Sequence, residues 1–120
     1  MYNRIEDLKY CISIIKDTWK LNSYYILVVS NGREDGYILD EDSLNKIDHL
    51  IEIKNNIGHF KGNSQLLLEG LPYIPHDCEY TVLLEADTWL FSDKLINKYT
   101  SKLKEENSVW ASAQFFSYVR

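Results

Sequence analysis

Tyr80-Thr81-Val82-Leu83-Leu84-Glu85-Ala86-Asp87 is the stretch on which the fold turns. Its first five residues are aromatic, β-branched or aliphatic and predict a buried strand over 80–84. Two carboxylates one residue apart, Glu85 and Asp87, follow where that strand is expected to end. Open α/β sheets bind ligands just outside the carboxyl ends of their strands. Two hard oxygen donors there suit Mg²⁺ or Mn²⁺, and such a cation in turn holds a diphosphate. Taken alone, the pair also reads as a strand end that caps the next helix.

Working outward, helix and strand alternate. Ile5, Leu8, Ile12, Ile15 and Trp19 recur at helical spacing and predict a helix over 5–19, with Glu6 and Asp7 in its first turn, where the helix dipole favours acids. Residues 24–30 read as a buried strand closed by the turn signal Asn31-Gly32. A polar loop with a short helix near 42–46 follows, then an alternating strand over 48–54 that suits a sheet edge. A Gly- and Asn-rich loop over 55–63 leads into a helix over 64–73, stopped by Pro72 and Pro75. After the acidic loop, a helix is expected from 92 or 93 to 106 and a last strand over 109–116. The alternation predicts one α/β domain over 1–120, with a Rossmann-like, mainly parallel sheet flanked by helices.

Composition narrows the partners. A chain of 120 residues with a net charge of −5 and no clustered basic face is a poor nucleic-acid binder. Cys11 and Cys78 lie far apart without metal-type spacing and read as reduced thiols. No signal peptide or long apolar run is evident, so no membrane span and a cytoplasmic location are expected. Trp110, Phe115 and Phe116 predict an apolar patch prone to self-association, hence a homodimer.

The order of pieces resembles the nucleotide-binding half of a GT-A-type glycosyltransferase. Met1-Tyr2-Asn3-Arg4, with Glu6, Leu8 and Cys11-Ile12, resembles the family's opening segment. Val28-Val29-Ser30-Asn31-Gly32-Arg33-Glu34-Asp35 resembles its second-strand motif, and Gly62-Asn63-Ser64 through Gly70-Leu71 its following helix. Leu84-Glu85-Ala86-Asp87-Thr88 resembles its metal motif, which has aspartate where this chain has Glu85.

The resemblance implies that Tyr2, Asn3 and Arg4 line a nucleotide pocket, with Asn31 and Asp35 near the base or ribose. It places Lys61, Gly62 and Asn63 near the pyrophosphate or sugar. Asp87 is implied as a ligand of Mn²⁺ or Mg²⁺, and Glu85 as a ligand of the metal or the ribose. The implied donor is a UDP- or GDP-linked sugar. Ser30 replaces the acid that usually closes the second strand, which weakens base recognition. The family's first strand and its acceptor-binding half, with the catalytic base, have no counterpart in these residues. The resemblance therefore implies a truncated GT-A fold, and a non-catalytic binding module remains the alternative to a transferase.

Overall fold

The computed structural model describes residues 1–112. It is a mixed α/β structure in which helices flank a two-stranded parallel sheet. Helix α1 spans Ile5–Thr18, strand β1 Leu27–Ser30, helix α2 Glu41–Leu44 and strand β2 His49–Glu52. Helix α3 spans His59–Gly70, continued by a 3₁₀ turn over Leu71–Tyr73, and α4 spans Lys94–Glu105. β1 and β2 pair from Leu27 opposite His49 to Ser30 opposite Glu52.

The sheet is covered on both faces because side chains alternate along β1. Val28 and Ser30 are buried. Val28 joins Leu8 and Ile12 of α1 and Leu39 in one core cluster. Val29 and Leu27 turn to the opposite face and meet α3 at Gly70, where an added Cβ would lie 2.9 Å from a Val29 methyl. A second cluster gathers Cys11, Ile15 and Trp19, against which Leu84, Leu90 and Ile96 lean. The radius of gyration is 15.3 Å, against about 14 Å for a compact chain of this length.

Several expected elements change. The strand predicted over 80–84 does not form, and the segment is largely exposed, with Leu83 at 69%. β-branched composition favours a pleated surface, but a strand exists only where a neighbouring backbone accepts its hydrogen bonds. Among the described residues 80–84 have none. The mainly parallel sheet is therefore reduced to two strands, each shorter than the runs that predicted it.

The third helix begins at His59, five residues before the expected Ser64. Asn56 Oδ1 accepts from the Gly58 N–H at 3.0 Å, and Gly58 sits at φ +94°, a turn that launches the helix early. Gly62, which made the segment look like loop, is buried instead against Asn56 and Asn31. The short helix predicted near 42–46 forms over Glu41–Leu44, capped by Asp40, whose side chain accepts from the Ser43 N–H at 2.9 Å. Residues 109–112 form no strand, and the rest of the predicted last strand lies outside the described residues.

Candidate functional site

The acidic pair sits in a tight turn, closed by Thr88 N–H donating to the Glu85 carbonyl at 2.9 Å. What fixes that turn is α1. Residues 87 to 90 contact it one after another. Arg4, just ahead of the helix, donates to Asp87 Oδ2 at 2.5 Å. Cys11 Sγ lies 3.6 Å from the Thr88 carbonyl. Trp89 Nε1 donates to the Asp7 carbonyl at 3.3 Å. Trp19 Nε1 donates to the Leu90 carbonyl at 2.8 Å. Burial among apolar neighbours raises the Cys11 thiol pKa, which keeps it protonated and able to donate.

Arg4 is shared: its Nε lies 2.8 Å from Asp7 Oδ2 while Nη2 holds Asp87. Both partners of the Arg4–Asp87 pair are about half exposed, at 53% and 43%, so the pair exchanges readily for a better one. Asp7, expected only as a dipole-compensating acid, turns out to be the second anchor of that arginine.

The same cleft collects residues from the carboxyl end of the sheet. Tyr2, Asn3, Arg4, Asn31, Glu85 and Asp87 are among the many residues that line it, beside core side chains of α1 and β1. Asn31 is 4% exposed; its Nδ2 reaches Asn56 Oδ1 at 3.4 Å, and its own Oδ1 meets no partner among the described residues. A buried acceptor without a partner costs the fold free energy unless a donor reaches it. Gly32 admits the Tyr2 backbone so closely that an added Cβ would lie 2.1 Å from its carbonyl oxygen.

Asp35 stands outside the lining and accepts from the Tyr2 hydroxyl at 3.0 Å, a contact that raises the phenol pKa. Tyr37 packs edge-on against Tyr2 at 5.1 Å. Lys61 lies on the outer side of α3, in a shallow exposed hollow with Phe60 and Leu68, and Gly62 is buried behind Asn31. The first turn of α3 instead offers His59 and Asn63 to the cleft. Asn56, a loop asparagine, carries no spacing signal of its own in the sequence. Trp89 leans on α1 beside Tyr10, at 6.1 Å between ring centres, rather than over the cleft.

Asp93 resolves differently from the other acids. It is 1% exposed and accepts from the Leu21 and Asn22 backbone N–H groups at 2.8 and 2.9 Å and from Asn22 Nδ2 at 3.0 Å. Burial opposes its ionisation, but these donors outweigh that and lower its pKa. It ties the start of α4 to the loop after α1.

For a divalent cation, the described residues hold no group of three or more His, Cys, Asp or Glu side chains. Mg²⁺ commonly needs only one or two carboxylates, completing its shell with water and substrate phosphates. Glu85 and Asp87 are two carboxylates on one turn, and Asp87 is paired with Arg4 in this structure. No described helix is long and apolar enough to cross a membrane. Comparison with known protein families, curated proteins and solved structures finds no match.

Proposed function

We propose that this chain is a glycosyltransferase-like domain that binds a UDP- or GDP-linked sugar through a divalent cation at Asp87 and Glu85, for transfer to an acceptor. The observation that supports the reading is direct contact between distant segments: Arg4 donates to Asp87 Oδ2, and the Tyr2 backbone lies against Gly32 at the carboxyl end of β1. Asp87 and Glu85 would hold Mn²⁺ or Mg²⁺, which when bound neutralises charge growing on a departing diphosphate. Arg4, freed from Asp87, turns its planar guanidinium to the phosphate oxygens, which its paired N–H donors can hold bidentately. The unpartnered Asn31 Oδ1, buried as it stands, accepts from a ribose hydroxyl or a base N–H once the side chain turns toward the ligand. A cytoplasmic location belongs to the same proposal.

The unpaired segment ahead of Glu85 favours a second reading, a binding module that holds the nucleotide without transferring the sugar. Inverting transfer needs a base within hydrogen-bond reach of the acceptor. His59, at the cleft, is the residue to examine for that role.

Calorimetry of UDP and GDP, with and without Mn²⁺, tests the binding step common to both readings. Metal-dependent binding lost in Asp87→Ala supports it; a folded protein that binds neither nucleotide overturns it. If binding holds, hydrolysis or transfer of the donor sugar separates enzyme from module.

A further inference from the structure

Among the described residues Asp87 makes one ion pair, and its partner is a cation that the chain itself supplies. Arg4 Nη2 donates to Asp87 Oδ2 at 2.5 Å, while Arg4 Nε lies 2.8 Å from Asp7 Oδ2. The guanidinium thus stands at the carboxylate that a free cation would seek, and shares its charge between two acids.

A second positive feature lies alongside. The Arg4 carbonyl accepts from the Leu8 N–H at 3.0 Å, so Arg4 closes the amino end of α1. Trp89 Nε1 donates to the Asp7 carbonyl at 3.3 Å and holds the acidic turn beside that end. The amino end of a 14-residue helix carries partial positive charge. Guanidinium and helix end both stabilise Asp87 as an anion, and both repel a free divalent ion.

Arg4 reaches its two acids through different N–H groups. Asp7 lies in the first turn of α1 and moves with Arg4, whereas Asp87 is 83 residues away in sequence. Release from Asp87 therefore leaves the Nε bond to Asp7 in place and frees the Nη groups for another anion. An anion that takes those groups leaves Asp87 without a counter-ion. A cation at Asp87 in turn leaves the Nη groups without an acceptor. Each ligand removes the obstacle to the other, and such coupling is reciprocal.

We infer that Arg4 is a built-in counter-ion that keeps the acidic turn closed to a free divalent cation until an anionic ligand takes its guanidinium. Naming that anion as a nucleotide diphosphate rests on the function proposed above; the exclusion of the free cation does not. On that function, cation and diphosphate bind together and neither binds well alone.

The test compares Mn²⁺ affinity, read from the electron paramagnetic resonance of free Mn²⁺, in wild type and Arg4→Gln without nucleotide. Arg4→Gln should bind Mn²⁺ about three- to tenfold more tightly, because both a competing ion pair and a like charge are gone. Arg4→Gln combined with Asp87→Asn should lose that gain, which locates it at the turn. With Mn²⁺ present, Arg4→Gln should weaken UDP or GDP binding about tenfold. Opposite signs in the two measurements are the signature, since an arginine with a merely structural role would weaken both. In wild type, Mg²⁺ should shift the Arg4 Nε–H and Asp87 amide resonances with a common midpoint. Mn²⁺ binding unchanged or weakened by Arg4→Gln overturns the inference, as does an Asp87 shift that leaves Arg4 unmoved. Tighter Mn²⁺ binding by the variant, in a chain whose wild type binds neither nucleotide, supports the counter-ion role and overturns the nucleotide reading alone.

Discussion

The guanidinium of Arg4 stands between Asp7 and Asp87, and its stabilising and binding roles separate by magnitude. Half-exposed ion pairs contribute little, so Arg4→Ala should lower unfolding free energy by less than about 1 kcal/mol in denaturant titration. The same variant should lose about tenfold or more in nucleotide affinity, because a charge-assisted phosphate contact disappears. Equal losses in both measurements would make Arg4 structural only. Gly32→Ala puts a methyl against the Tyr2 carbonyl. It should cost about 2 kcal/mol of stability and shift the amide resonances of Tyr2, Asn3 and Arg4.

Asp93 gives a pH prediction with a definite sign. Its folded pKa lies below that of an ordinary carboxyl, so its contribution is present above the unfolded value near 4 and is lost as pH falls through the depressed folded value. The melting temperature should therefore fall in acid below about pH 4, and Asp93→Asn should be less stable at neutral pH with a shallower acid loss. Thermal unfolding monitored by circular dichroism across pH checks both.

The residues of the candidate site were partly legible in the sequence. Asp87, Glu85, Arg4 and Asn31 carried motif spacing, and the structure brings them to one cleft. Asn56 and Asp7 were not visible, because their roles rest on approaches between segments that no local pattern encodes. Lys61, which the resemblance implied near the pyrophosphate or sugar, lies on the outer side of α3, which starts earlier than its sequence suggests.

At the level of elements, helices were easier to read than strands. α1 was predicted over 5–19 and spans Ile5–Thr18, because a helix satisfies its own backbone and announces itself by apolar spacing. Strands depend on neighbours. The run over 24–30 yields only the four residues of β1, matching the length of β2 beside it. The run over 80–84, more apolar than β2, pairs with nothing among the described residues. Its successor is held by α1 instead, which gives a prediction at this scale. Trp19→Phe removes the bond to the Leu90 carbonyl. It should cost about 1–2 kcal/mol and speed amide exchange through residues 85–90, while β1 and β2 keep their protection.

For the whole molecule, two small apolar clusters and a large cleft replace the single continuous core that an α/β alternation suggests. The fold class was therefore legible, and the extent of the sheet was not: pairing is decided by which backbones lie side by side, and composition does not record that. The cleft has two ends with different chemistry. One carries carboxylates, a guanidinium and a buried, unpartnered amide oxygen; the other carries apolar walls.

The central claim concerns the first end, and paramagnetic mapping tests it most directly. Mn²⁺ added to the ¹⁵N-labelled chain with UDP or GDP present should broaden the amide signals of Glu85, Ala86 and Asp87 first. Asn31 and His59, across the same cleft, should follow. Asp87→Ala should abolish that pattern. Broadening confined to other exposed acids such as Glu105 and Glu106, or unchanged in the variant, would contradict a cation-assisted nucleotide site at this cleft.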